Sequence, residues 1–144
     1  MIRKILLGYD GSASAEHALR FAVDLAQKYG AELHVLAVAR PPEFGDEVET
    51  EAVVESAQRH SSKVLTTARE RLGHAALTTR LHAVVGHPAE QILRYAEAQG
   101  MDHIVVGHRG HTRFERWLVG SVARQVVAHA PCAVTVVRNR VPPS

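Results

Sequence analysis

Short apolar runs alternate with longer amphipathic stretches along this chain. The short runs are rich in Val, Ile and Leu and are followed by glycine, proline or polar residues, which is typical of buried strands. The longer stretches repeat apolar residues every three or four positions, which is typical of helices packed against a core. The pattern predicts five strands, over residues 2–9, 32–38, 77–85, 103–106 and 133–137.

Helices are predicted between these strands, and capping residues mark several of their ends. Ser12 or Ser14 can cap the first helix, and Gly30 follows its last apolar position. Pro88 is well placed at the start of the third helix. Two consecutive prolines predict a loop over residues 40–46. The predicted helices span residues 15–29, 47–72, 89–99 and 121–129, with a short helix or turn over 113–119.

The alternation of strand and helix predicts an α/β fold with a parallel sheet and right-handed crossovers. The length of 144 residues suits a single domain, over residues 1–140, with residues 141–144 as a tail. Ligands of doubly wound sheets bind beyond the carboxyl ends of the strands, where the strand order reverses. Asp10 and Gly107 each follow a strand, so they would flank one crevice if the first and fourth strands are neighbours.

Composition and charge narrow the classes of protein to which the chain could belong. Apolar residues make up 46%, but no apolar run approaches the roughly 18 residues of a membrane-spanning helix. The net charge of +2 comes from scattered charges without a basic block, which argues against a nucleic-acid surface. A single cysteine excludes an internal disulfide. With no signal peptide evident, the sequence predicts a cytoplasmic protein that binds neither membranes nor nucleic acid.

The glycine-rich segment between the fourth strand and the last helix is the strongest candidate for a binding site. Gly107 and Gly110 are separated by two residues, and nine further residues lead to Gly120 and Ser121. A strand, a glycine loop and a helix N-terminus together present unpaired N–H groups, for which a phosphate group is the expected ligand. Glycines also allow the backbone to approach a ligand closely. The alternative is that these glycines only end a strand and cap a helix.

This glycine loop differs from two other phosphate-binding motifs and has several polar neighbours. No lysine follows its last glycine, and no Gly-x-Gly-x-x-Gly fingerprint occurs in the chain. Arg109 and Arg113 could reach phosphate oxygens or could be solvated. Asp10 could contact a ligand or form an Asx turn before the first helix. His108 and His111 have no carboxylate or cysteine spaced to complete a zinc site.

The sequence does not indicate a set of catalytic residues. No Ser–His–Asp set can be assembled from the spacing of motifs, and no motif identifies a pair of catalytic carboxylates. Asp10 could help to hold Mg²⁺, but no residue is evident as a base for phosphoryl transfer. These residues therefore do not predict a turnover enzyme.

Nearly the whole chain resembles the universal stress protein family, and within it the nucleotide-binding branch. The glycines and the serine of the loop match the motif Gly-x2-Gly-x9-Gly-Ser of that branch at every specified position. Four other segments are also similar to the family. They are Ile5–Ser14 at the opening strand, Leu33–Val35, Val85–Pro88, and Pro131–Val137 at the end of the chain.

The resemblance implies a Rossmann-like sheet in the order 3-2-1-4-5 with helices on both faces. It also implies that ATP, or another adenine nucleotide, binds at the carboxyl ends of strands one and four. Asp10 would lie near the ribose or a Mg²⁺ ion, and Val35 by the adenine, the alternative being that Val35 is an ordinary core residue of its strand. Family members are commonly homodimers with the last strand at or near the interface. The residues expected to bind the nucleotide are Gly8, Asp10, Val35, Val106, Gly107, Arg109, Gly110, Gly120, Ser121 and Val122.

Two residues depart from the family pattern. His108 stands where many relatives have serine, and Gly8 stands where others have alanine or proline. The first departure could alter the phosphate contacts, and the second would leave the base pocket roomier.

The resemblance favours an ATP-binding regulatory module of the stress response, with an unknown protein partner that responds to nucleotide occupancy. The alternatives are a slow Mg²⁺-dependent ATPase and a nucleotide-free dimeric interaction module.

Overall fold

The computed structural model of the chain describes residues 1–40, 51–109 and 119–139. Three predicted segments lie wholly or partly outside the described residues: 41–46 of the loop predicted at 40–46, 47–50 of the second predicted helix, and the tail. Most of the segment 113–119 also lies outside them, as do Gly110, His111 and Arg113.

Strands and helices alternate through the described residues, as the apolar pattern predicts. The bounds predicted for the last helix and the last strand are confirmed at both ends. The first and third strands begin two residues later than predicted, because their pairing with the second strand starts at Lys4 and Thr79. The elements are β1 (Lys4–Tyr9), α1 (Ala13–Tyr29), β2 (Glu32–Ala39), α2 (Glu51–Leu72), β3 (Thr79–Val85), α3 (Pro88–Ala98), β4 (His103–Gly107), α4 (Ser121–His129) and β5 (Ala133–Val137).

The sheet is parallel throughout and has the order β3-β2-β1-β4-β5, which confirms the predicted topology. β1 is the central strand and pairs with both β2 and β4. Leu7, for example, lies opposite Val35 on one side and Val105 on the other. The strand order reverses between β1 and β4, so ligands of this fold are expected beyond the carboxyl ends of these strands.

Two apolar cores lie on the two faces of the sheet, because successive strand residues point to opposite sides. Burial on both faces explains why the strands read as nearly continuous apolar runs. The face covered by α1 and α2 buries Ile5, Leu7, Leu33, Val35 and Val105. The face covered by α3 and α4 buries Leu6, Leu36, Ile104 and Val106.

Both ends of α1 are capped by residues that the sequence marks. Ser12 is the N-cap, and its hydroxyl accepts a hydrogen bond of 3.1 Å from the N–H of Ala15. Gly30 follows the last turn in the left-handed conformation, with φ of 63°, where glycine has no steric penalty. The helix therefore begins within a few residues of the end of β1, which places its first turn beside the point where the strand order reverses.

Candidate functional site

A cavity of about 800 Å³ lies at the carboxyl ends of β1, β2 and β4. It extends from the first turn of α4 to residues of α2 and α3, and therefore spans the point where the strand order reverses. Most of the residues singled out from the sequence line it. These are Gly8, Asp10, Val106, Gly107, Arg109, Gly120, Ser121 and Val122.

Two residues of the expected set are not among these lining residues. Gly110 lies outside the described residues. Val35 is fully buried in the core between the sheet and α1, and it does not line the cavity. The residues of β2 that line the cavity are Leu36, Val38 and Ala39, so the proximity of Val35 to a base stays a prediction from the family resemblance. Leu36 belongs to the opposite face of the sheet, and Val38 and Ala39 are nearer the end of the strand.

The glycine loop is anchored at both ends by backbone hydrogen bonds. The N–H of His108 donates to the carbonyl oxygen of Val137 at 2.9 Å, and the N–H of Gly120 donates to the carbonyl oxygen of His108 at 2.7 Å. The N–H group of Gly120 thus already has a hydrogen-bond acceptor within the protein. Gly120 is the N-cap of α4 and makes no side-chain capping bond, so Ser121 is the first helical residue. The N–H groups of this first turn have no partner within the helix, and Ser121 and Val122 line the cavity.

Gly107 lies where β4 meets the first turn of α1. A Cβ atom built on Gly107 would lie 2.8 Å from the carbonyl carbon and the Cβ of Ser14, and 2.9 Å from its carbonyl oxygen. These separations are well below the ~3.5–4.0 Å at which packed carbon atoms attract. Glycine is therefore required at this position by close packing of two backbone segments, independently of any ligand.

Asp10 combines a structural role with a place at the cavity. Its Oδ1 accepts a hydrogen bond of 2.9 Å from the N–H of Ser12, so the Asx turn considered from the sequence is formed. The half-buried residue also lines the cavity, between the end of β1 and the start of α1. Its carboxylate is held in place by the turn and lies at the cavity edge, where it could accept hydrogen bonds from a ligand.

Part of the cavity lining is apolar. Leu36 and Val38 of β2 and Ile92 of α3 contribute to it from one face of the sheet, and Val64 of α2 contributes from the other. The extra room expected at Gly8 is taken by Ile92, since a Cβ on Gly8 would lie 2.6 Å from Ile92 Cδ1. An apolar group would fit the slot between Leu36, Val38 and Ile92, whereas a charged group would lose its hydration there.

Charged residues around the cavity are mostly basic. Among the described lining residues, Arg40, Arg109 and Arg124 are cationic and Asp10 is the only carboxylate. The described ranges contain no cluster of three His, Cys, Asp or Glu side chains that could hold a metal ion. A cavity with an apolar slot, a helix N-terminus and mostly basic charged lining residues is suited to a ligand that has an apolar ring and an anionic group.

Several lining residues were not predicted from the sequence. Leu36 and Val38 appear in the sequence only as ordinary strand residues, and Ile92 as an ordinary core residue of a helix. His60 and Val64 lie on α2, far from the glycine loop in sequence, and no local motif marks them. The alternation of β2 could have identified Leu36 and Val38 as a pair on one face, but not which face borders the cavity.

None of the helices in the described ranges is both long and apolar enough to cross a membrane.

Comparison with known proteins shows extensive similarity to one family. The model of the universal stress protein family matches residues 1–138. The universal stress protein YxiE of Bacillus subtilis is 31% identical, over 96% of this chain and 100% of its own length.

Solved structures have the same fold. Universal stress protein UspA from Lactobacillus plantarum is 29% identical, with a TM-score of 0.85 over 94% of this chain and 97% of that one. A universal stress protein in complex with cAMP is 24% identical, with a TM-score of 0.72 over 96% and 98%. A family protein from Arabidopsis thaliana with AMP bound is 16% identical, with a TM-score of 0.72 over 99% and 96%.

Proposed function

This chain belongs to the universal stress protein family, and from that premise we propose that it binds an adenine nucleotide, with ATP as the expected ligand. Nucleotide occupancy would regulate its interaction with a protein partner. The main support is the cavity itself, in which an apolar slot and the N-terminus of α4 lie at the carboxyl ends of β1, β2 and β4. The cAMP and AMP complexes of proteins with this fold are consistent with an adenine nucleotide.

The phosphate groups would lie over the glycine loop and the first turn of α4. In this arrangement the free N–H groups at Ser121 and Val122 donate to phosphate oxygens, and Arg109 and Arg124 supply positive charge. A helix N-terminus stabilises an anion by about 0.3–1 kcal/mol when exposed and by up to ~2 kcal/mol when partly buried.

These phosphate contacts alone are too weak for useful affinity, because micromolar binding requires about 8 kcal/mol. The remainder would come from the apolar slot between Leu36, Val38 and Ile92, which removes the faces of the adenine from water. Asp10 would accept hydrogen bonds from the ribose hydroxyls. It could also hold Mg²⁺, an ion that proteins commonly bind through one or two carboxylates together with ligand phosphates.

We expect protein purified under mild conditions to release an adenine nucleotide when it is denatured. After the nucleotide has been removed, ATP added at about 100 times its Kd should raise the free energy of unfolding by ~2.7 kcal/mol. Thermal denaturation with and without ATP measures this shift, and mass spectrometry identifies the released molecule. GTP at the same concentration is the control for the base. Absence of both a released nucleotide and an ATP-dependent shift would contradict the proposal.

We further propose that two copies associate through β5, as the family resemblance implies. β5 is an edge strand, and its residues Val134, Val136 and Val137 are only half-buried in the isolated chain. An exposed apolar edge strand invites pairing with another chain unless it is covered. Sedimentation of the wild type should give a dimer, and Val136→Lys should give a monomer with unchanged secondary structure. A monomeric wild type would refute this assembly.

A further inference from the structure

His108 is held between the glycine loop and the first turn of α1. The residue is only 3% exposed, and its Nδ1 lies 3.4 Å from the hydroxyl oxygen of Ser14, which is itself buried. Its backbone N–H and carbonyl are both used in the hydrogen bonds that anchor the loop to Val137 and Gly120. The position of the imidazole is therefore set by the fold, and the residue borders the cavity.

The electrostatic surroundings of His108 disfavour its charged form when no ligand is present. Burial lowers the pKa of the imidazole first, the positive charges of Arg109 and Arg138 lower it further, and a hydrogen bond to the backbone of Val137 opposes them with a smaller effect. Arg124 of α4 and Asp10 after β1 line the same cavity, and Ser14 of α1 is uncharged. His108 is thus a neutral base at neutral pH, in a loop with cationic neighbours.

A polyanion over the glycine loop would reverse this balance. Opposite charges within a few ångströms favour the charged form of an ionisable group. A triphosphate bound where the lining residues suggest would lie beside the loop that contains His108 and would offset the charge of the arginines. The protonated ring would have N–H donors on both nitrogens, so Nδ1 could donate to Ser14 Oγ whichever tautomer was present before.

Building on the nucleotide binding proposed above, we propose that His108 takes up one proton from the buffer when ATP binds, and that its imidazolium then fastens the glycine loop to α1 through Ser14. His108 is in this view a positioning residue: it couples the occupancy of the phosphate subsite to the junction of β4 and α1. A serine or glutamine at this position could form the hydrogen bond but could not take up the proton.

The proposal fixes the sign of the pH dependence. His108 has the lower pKa in the free protein and the higher pKa in the ATP complex, so binding consumes a proton between the two values. Within that interval the Kd for ATP should fall as the pH falls, by up to about tenfold per pH unit. At pH values above the pKa of His108 in the ATP complex, the contribution of His108 to the pH dependence of the Kd should disappear.

Calorimetric titration of ATP in two buffers of different ionisation enthalpy measures the number of protons taken up. We expect wild-type protein to take up more protons than His108→Gln. The difference should approach about one proton per ATP bound when the pH lies between the pKa of His108 in the free protein and its pKa in the ATP complex. Phosphates of the nucleotide also titrate near pH ~6, but they do so equally with both proteins. His129→Gln is the matched control, because His129 is an exposed histidine in the last turn of α4 and does not line the cavity.

NMR titration of the imidazole of His108 in wild-type protein gives a second readout that needs no variant. Saturation with ATP should raise the pKa of His108. Equal proton uptake by wild type and His108→Gln, or an unchanged pKa of His108 in protein saturated with ATP, would overturn this inference alone. Absence of any ATP binding by the wild type would overturn the proposed function as well.

Discussion

Gly107→Ala is expected to abolish measurable ATP binding and to destabilise the protein by about 1–3 kcal/mol. The added methyl would lie 2.8 Å from the carbonyl carbon and the Cβ of Ser14. Ser14 lies in the first turn of α1, so the clash can be relieved only if the glycine loop and the helix move apart. Such a movement would displace the N–H groups and the arginines that are proposed to bind phosphate. Urea denaturation and ATP titration measure the two effects.

Gly8→Ala is the matched comparison for this variant. It adds the same methyl to another glycine that lines the cavity, and the nearest atom would be Ile92 Cδ1 at 2.6 Å. That atom is the end of a flexible side chain, so a rotamer change can relieve most of the overlap. We expect a smaller loss of both stability and affinity than in Gly107→Ala. Wild-type affinity in Gly107→Ala would refute the role assigned to the junction of the loop and α1.

Ser121→Asp is expected to weaken ATP binding by more than about 100-fold and yet to stabilise the fold slightly. The new carboxylate would stand at the first helical residue of α4, beside the proposed phosphates. Like charges placed together cost several kcal/mol, and each ~1.4 kcal/mol is a tenfold change in Kd. The same negative charge at a helix N-terminus stabilises the helix by about 0.3–1 kcal/mol. The two effects therefore have opposite signs, which general misfolding could not produce.

Two control variants separate the effect of the added charge on ATP binding from the effects of losing the hydroxyl and of the charge's position. Ser121→Ala removes the hydroxyl without adding charge and should weaken binding far less than the aspartate does. Gln125→Asp adds the charge at an exposed position of α4 that does not line the cavity. ATP titration and thermal denaturation should therefore find Gln125→Asp close to the wild type in affinity. Unchanged binding by Ser121→Asp would place the phosphates away from α4, contrary to the proposed function.

Most of the fold could be predicted from local patterns. The bounds of α4 and β5 are as predicted, and Ser12 and Gly30 cap α1. These features depend on neighbours in sequence, because helix periodicity, capping hydrogen bonds and left-handed glycines are local properties. The order of the five strands was expected from the family resemblance, since strand pairing between distant segments leaves no local signature.

The candidate site was predictable only in part. The glycine loop, Asp10 and Gly8 are adjacent to strand ends, so their place at the cavity follows from the topology of a parallel sheet. Val35 was expected by the base from the family resemblance but does not line the cavity, because alternation along β2 reveals two faces and not which of them borders the cavity. The tertiary structure instead identifies Leu36 and Val38 as the lining residues of that strand.

Local patterns in the sequence were enough to predict an alternating α/β chain with a glycine loop that leads from a buried strand into a helix. Three further features are visible only in the folded chain: α2 and α3 complete the cavity, Gly107 must be glycine because of Ser14, and His108 is buried against the same residue. The difference arises because spacing along a chain records local backbone geometry. Contacts between β4 and α1, which are separated by most of the chain, exist only after the strands have paired and the helices have packed.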